Sequence, residues 1–387
     1  LNKLFLLYII YKLFLSLNYM SKLEKTFYLK GFDHPRYPII QGGMGIGVSL
    51  YKLCSAVGKE DGVGTLSSVA LDQYTPLRLG LEGKMDYEKA VEREVRDTKR
   101  DGGVCAMNIM VYLENFYEKA IKASVRGGVN MIVSGAGTPT NLPTLVKEEL
   151  GTNDHNINLI PIVAHPRFFN DFLAEWEKQG YVPDAFVVEG PLAGGHLGFF
   201  NPMIDKEKYQ LENLVPKFLK IAHEHGDIPM IVAGGVEPTN EGVKKWLNIG
   251  ATAVQYGTRF AATHESGFTS EIKQMIVDTK AEDIILGDKK WGSPCRFPFR
   301  FSKLSPGYQN RKDEKYFCIC TNLMEATGVV GDNTKGCPQQ YVQTNNGCRG
   351  INGTKGPILT LGTIASEIDS IKSVKEIIDK LTLRDTA

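Results

Sequence analysis

The sequence predicts an α/β protein built as a (β/α)8 TIM barrel, followed by an irregular C-terminal insertion and a closing helix. Three observations carry that prediction. Eight short apolar runs alternate with helical patterns along the chain. Several of these runs end in glycine-rich stretches, as parallel strands do when they deliver binding loops at their carboxyl ends. The 387 residues suffice for one such barrel with an insertion.

The first strand is read at residues 39–41. A helix over 49–57 follows, with Leu50, Leu53, Cys54 and Val57 on one face. Residues 63–66 form the second strand, ending in Ser67 and Ser68. Acidic and basic residues then alternate over 87–100, the pattern of a solvated helix. The third strand, 104–109, precedes a helix through 116–125. Strands four and five, at 130–133 and 158–163, flank a helix near 143–150. A helix over 168–178 leads to strand six at 185–188, and 211–223 leads to strand seven at 230–233. The pattern closes with a helix over 241–247 and strand eight at 253–256.

Beyond about Gly267 this regularity fails. Residues 287–356 are rich in Gly, Pro, Lys and Arg, as lids, binding loops and interfaces are. Ile368, Ile371, Val374, Ile377 and Ile378 then mark an amphipathic closing helix expected to pack back on the barrel or the insertion. The expected division is an extension over 1–19, a barrel over 20–285 and a lid segment with the closing helix over 286–387.

Composition narrows the partners. Apolar residues make up 42% and charged residues 23%, ordinary globular values. With a net charge of +1, neither nucleic acid nor an anionic membrane is expected, and small molecules are. The first nineteen residues are strongly apolar, but Lys12 interrupts them and no small-residue cleavage site follows. The favoured reading is an upstream extension of a chain starting at Met20, and hence a cytoplasmic protein. Seven cysteines argue against a disulfide scaffold. The spacing of Cys318, Cys320, Cys337 and Cys348 is a poor match to a metal site, so reduced structural thiols are expected and no metal.

The chemistry concentrates at the strand ends. Val187-Val188-Glu189-Gly190-Pro191-Leu192-Ala193-Gly194-Gly195-His196 is a strand that stops in a glycine-rich loop carrying one histidine. Glycine lets backbone approach a planar or phosphorylated ligand, and histidine is a base or acid near neutral pH. Matching pieces are Gln41-Gly42-Gly43-Met44-Gly45, Met107-Asn108-Ile109-Met110, Ser134-Gly135-Ala136-Gly137, Ala233-Gly234-Gly235 and Gln255-Tyr256-Gly257-Thr258. Gly234-Gly235 and Gly257-Thr258 follow strands seven and eight, where barrels commonly bind phosphate.

Over residues 37–260 this set resembles the nitronate monooxygenase family, formerly 2-nitropropane dioxygenases, and equally the flavin-dependent enoyl-acyl-carrier-protein reductases. The resemblance implies an FMN-dependent oxidoreductase. It oxidises alkyl nitronates with O2 or, as the alternative, reduces an enoyl thioester with NAD(P)H. It also implies FMN contacts at Gly42, Gly43, Met44, Asn108, Glu189, Gly194, Gly195, Gly234, Gly235, Gln255, Tyr256, Gly257 and Thr258. His196 is the implied catalytic residue, taking a proton from a nitroalkane or stabilising the nitronate. Glu189 departs from the glutamine of many monooxygenases and matches the reductase type. An inosine-monophosphate-dehydrogenase-like cysteine is missing from residues 190–198, which disfavours covalent catalysis there.

Ser134, Gly135 and Ala136 are expected at the same mouth. His165 is a second candidate, although a loop histidine before proline is usually structural. Cys105 is expected in the core. Arg296 and Arg300 are candidates to clamp an anion, weighed equally against a solvated basic loop. A homodimer is compatible with all of this.

Overall fold

The computed structural model describes residues 22–287, 298–310, 323–324, 326–329 and 356–384. Residues 1–19, Arg296, Cys318, Cys320, Cys337 and Cys348 lie outside the described residues. Strands β1 (Ile39–Gln41), β2 (Val63–Ser67), β3 (Ala106–Met110), β4 (Met131–Gly135), β5 (Asn158–Val163) and β6 (Phe186–Glu189) pair in parallel. After the short β7 (Gly195–His196), β8 (Met230–Ala233) and β9 (Ala253–Tyr256) continue the sheet, and β9 closes on β1. The result is the expected closed eight-stranded parallel barrel.

Strand parity explains why these apolar runs suit both sides of the wall. Successive side chains point to opposite faces. Ile40, Val63, Ala106, Met131, Val133, Ile160, Val187, Ile231 and Ala253 fill the interior as one cluster. Phe27, Leu29 and Phe32 belong to the same cluster and plug the amino-terminal end. Ile39, Met107, Ile132, Phe186, Val188, Val232 and Val254 face the surrounding helices instead. By this parity Asn108, Glu189 and Gln255 fall on the inward register at the carboxyl ends.

Helices α1 (Tyr51–Lys59), α2 (Leu71–Arg78), α3 (Tyr87–Gly102), α4 (Glu114–Gly127), α5 (Leu142–Leu150) and α6 (Pro166–Glu177) cover the first five strands. Within α3 the charge alternation has a specific use. Arg78 of α2 donates to Glu94 at 2.6 Å and to Asp97 at 2.7 Å, so α3 is half-buried and ion-paired rather than simply solvated. The short α7 (Asn201–Ile204), then α8 (Leu211–Glu224), α9 (Asn240–Ile249) and α10 (Thr258–Ala261) continue the wrapping.

The chain past Gly267 is more regular than its sequence suggests. Thr269 caps α11 (Ser270–Asp278) by accepting from the Ile272 amide, and Ile272 and Ile276 bury on one face. A second sheet runs β10 (Ile284–Leu286), β11 (Phe299–Ser302), β7, all antiparallel. After α12 (Pro306–Gln309), the closing helix α13 spans Val374–Thr382, starting later than the isoleucine spacing predicts. Ser373 and Glu376 form a reciprocal capping box that sets this start. Ile368 is buried ahead of it, against Leu361, Ala365 and Phe268. Val374, Ile377, Ile378 and Leu381 join the main core, so α13 does pack back on the barrel.

Candidate active site

One cavity opens at the carboxyl end of the barrel, with about 810 Å³ of space out to its mouth. Eleven of the predicted residues line it: Gly42, Gly43, Met44, Glu189, Gly194, Gly234, Gly235, Gln255, Tyr256, Gly257 and Thr258. Asn108 stands just behind this lining. A Cβ placed on Gly43 would lie 2.3 Å from the Asn108 Cβ, so only glycine lets the β1 loop lie against that side chain. Tyr256 presents backbone to the cavity, while its hydroxyl donates to the Glu237 carbonyl at 2.9 Å. Its ring belongs to the helix-facing core.

Gly195 and His196 are placed beside the cavity rather than among its lining residues. They form β7, with His196 opposite Phe299 and Gly195 opposite Arg300 in β11. The His196 ring meets the Phe299 ring edge-on at 5.1 Å. Its Nε2 is buried with no hydrogen-bond partner among the described residues. The loop before it is held from below. The Arg300 guanidinium donates to the Pro191 carbonyl at 2.6 Å and the Ala193 carbonyl at 2.7 Å. Arg300 is therefore a buried strut, neither an anion clamp nor a solvated loop cation.

Sequence reading missed two further parts of the site. Gln41 sits fully buried, donating to Ser49 Oγ at 2.9 Å and to the Gly42 carbonyl, while its Oε1 accepts from the Thr65 amide. Ser49 Oγ in turn accepts from the Met44 amide at 2.9 Å, so this pair shapes the glycine loop. A polar residue ending an apolar strand was the available signal. The second part is the strap Thr360, Leu361, Gly362 and Ile364, which forms the far wall. It is fastened by Gly362 N to Thr258 Oγ1 at 2.9 Å and Thr363 N to the Leu192 carbonyl at 3.1 Å. Nothing local in its sequence marks it, because its partners are over a hundred residues away.

Other candidates fall elsewhere. Ser134 turns away from the mouth and donates to the Ile109 carbonyl at 3.0 Å. Gly135 and Ala136 are likewise not among the lining residues. His165 caps α6, its Nδ1 accepting from the Arg167 amide at 3.2 Å. Cys105 is fully buried, and burial pushes its thiol well above the ordinary range, as suits core packing. Among the described residues no cluster of His, Cys, Asp and Glu is arranged to hold a metal, and no helix is long and apolar enough to cross a membrane.

Burial pushes the Glu189 carboxyl up to about 7 and the His196 imidazole down to about 4. Unfolded, these groups titrate near about 4.3 and about 6.5. Between those limits Glu189 holds a proton that the unfolded chain releases, so its contribution to stability falls as pH rises. Over nearly the same window the unfolded chain protonates histidine first, so the His196 contribution rises with pH. The two slopes oppose each other. Melting curves of flavin-free protein from about pH 4.5 to 6.5 should show E189Q gaining stability with pH relative to wild type, and H196N losing it. Parallel curves for all three proteins would refute this electrostatic picture.

Comparison with known proteins agrees with the architecture. The family model described as nitronate monooxygenase matches residues 28–384. A "probable nitronate monooxygenase" of Staphylococcus aureus is 26% identical over 282 residues, 65% of this chain and 72% of that protein. FabK from Thermotoga maritima superposes with a TM-score of 0.59 at 24% identity, over 89% of this chain and 91% of that one. Nitroalkane oxidase from Streptomyces ansochromogenes gives 0.60 at 18% identity, over 92% and 96%. At such identities the two structures show a shared fold. The family match spans nearly the whole described chain, and the chain belongs to the nitronate monooxygenase family of flavin-dependent oxidoreductases.

Proposed function

We propose that this protein binds FMN in the barrel cavity and oxidises alkyl nitronates with O2, releasing nitrite and a carbonyl compound. The observation that carries the reading is the convergence of glycine loops from β1, β8 and β9 with the Glu189 carboxyl in one cavity, beside a half-buried histidine whose Nε2 has no partner among the described residues. The residues suit a flavin. The amides of Gly234 and Gly235 donate to no backbone carbonyl in the loop network of the described residues, and loop amides of this kind suit a phosphate dianion. The Glu189 carboxyl makes no hydrogen bond to the described residues, and a carboxyl there can accept from ribityl hydroxyls. Gly42 and Gly43 bring backbone to the cavity where a planar ring needs close approach, with Met44 as apolar cover.

FMN supplies the redox chemistry when bound. The chain's own task is to hold substrate and move a proton. With its pKa pushed down to about 4, His196 is neutral near pH 7, the form able to accept a proton from a nitroalkane. Val48, Phe268 and Ile364 give the cavity an apolar side suited to an alkyl chain. Glu189 favours a second reading, since the resemblance places glutamate here in enoyl-acyl-carrier-protein reductases, with NAD(P)H as reductant.

Mass spectrometry of the released cofactor is expected to give FMN. Oxygen-electrode and nitrite assays with ethylnitronate should then show nitrite formed as O2 is consumed. FAD, or an enzyme inert to nitronate that oxidises NAD(P)H with an enoyl thioester, would overturn the proposal.

A further inference from the structure

We propose that Arg300 is a positioning residue, holding the loop between β6 and β7 and thereby setting the orientation of His196. The inference rests on the assignment of His196 above, but its structural half stands independently.

The loop holds itself by little more than one long backbone bond, from the Ala193 amide to the Gly190 carbonyl at 3.3 Å. Gly190, Gly194 and Gly195 lie within six residues, and Gly195 has φ +72°, a left-handed conformation. Glycine loses the most conformational freedom on ordering, so a loop this rich in it stays fixed only if something outside clamps it. Strand β11 supplies that clamp at three levels. Arg300 bridges the Pro191 and Ala193 carbonyls with one nitrogen, closing the first half of the loop. The ladder pairs Gly195 with Arg300 and His196 with Phe299, fixing the second half. The Leu197 amide donates to the Pro298 carbonyl at 2.9 Å, ending the run.

The clamp is itself anchored. On its other edge β11 pairs with β10, Leu286 opposite Arg300, and the Ser302 amide donates to the Leu359 carbonyl at 2.9 Å. The strap that walls the cavity continues from Leu359, so loop, strand and wall form one connected unit.

Arginine at this point is not explained by charge pairing. Arg300 is 5% exposed, and among the described residues the only carboxylate whose charge acts on it is Asp205. Burial pushes the guanidinium down to about 10, with only Asp205 opposing, and it stays charged near neutrality. A buried cation without an acid partner is costly. What it gains here is two strong, charge-assisted bonds to carbonyls that otherwise face no donor from this strand. Both carbonyls belong to the segment leading into Gly194-Gly195-His196.

The test combines hydrogen exchange with kinetics on the flavin-loaded protein. R300Q should speed amide exchange in a peptide covering 190–198 by about tenfold or more, with the barrel strands unchanged. R300K keeps the charge with a shorter reach and should fall between wild type and R300Q. Should R300Q not fold, R300K must still exchange faster than wild type in that segment alone. Unchanged exchange in the variants overturns the clamp.

Flavin reduction by ethylnitronate, or by NAD(P)H if that is the active reductant, supplies the second readout. R300Q should slow it roughly tenfold to a hundredfold at saturating substrate, the scale of a displaced catalytic group. In the H196A background the same change should cost less than about twofold, because the group being positioned is gone. Equal, multiplicative losses in both backgrounds would make Arg300 a general structural residue. If H196A alone leaves reduction unchanged, the role of His196 fails, while the exchange data still decide whether Arg300 holds the loop.

Discussion

Replacing His196 with alanine should lower turnover by about a hundredfold to ten-thousandfold, the usual range for a positioned acid or base. The flavin should stay bound. His196 is not among the cavity-lining residues, and its ring packs edge-on against Phe299 instead. Its Nε2 is buried without a partner among the described residues, so the fold makes no use of that atom. Removing an unsatisfied polar atom also relieves a desolvation cost, which offsets part of the lost packing. The melting temperature should therefore move by only about 1–2 °C, about what 1 kcal/mol produces in a chain of this size. Steady-state rates, flavin absorbance and a melting curve on one preparation check all three points. Full turnover in H196A would remove the histidine from the mechanism.

The second large effect is expected at Gly194, where loop and strap touch backbone to backbone. A Cβ there would lie 2.3 Å from the Leu361 carbonyl carbon and 2.4 Å from the Gly362 nitrogen. Neither is the flexible tip of a side chain, so the strap itself must retreat. Valine adds three carbons to that contact. Retreat breaks the bond from Gly362 N to Thr258 Oγ1 and the one from Thr363 N to the Leu192 carbonyl, and the far wall opens. Overpacking of this kind costs about 1–3 kcal/mol. If most of it falls on the cofactor-binding state, flavin affinity drops by about tenfold or more. Fluorescence titration of G194V apoprotein with FMN measures this directly. Unaltered affinity would mean that the strap is not part of the binding wall.

The barrel was legible because each strand carries its own evidence. Apolar residues at Ile40, Val187 and Ile231 serve the interior, and their neighbours at Ile39, Val188 and Val232 serve the helices, so the runs read as continuous. The glycine loops were legible for a similar local reason, and eleven of the residues drawn from them do meet in one cavity. Elements fixed by distant partners were not. Arg300 in its basic, proline-flanked context reads equally as an anion clamp or a solvated cation, and only the pairing of β11 with β7 shows it buried against Pro191 and Ala193. The strap at Thr360–Ile364 has the same character, since its shape follows from Thr258 and Leu192. Helix α11 is a different case. Thr269 with Ile272 and Ile276 was a readable cap and face, overshadowed by the irregular composition that follows.

The central claim, that this cavity oxidises nitronates at a bound flavin, is tested most directly by anaerobic stopped-flow absorbance of the purified holoprotein. Ethylnitronate and NAD(P)H are mixed with it in separate experiments. The expected result is rapid bleaching of the flavin band by nitronate, with NAD(P)H inert. Rapid bleaching by NAD(P)H, reversed by an enoyl thioester, together with no response to nitronate, would contradict it.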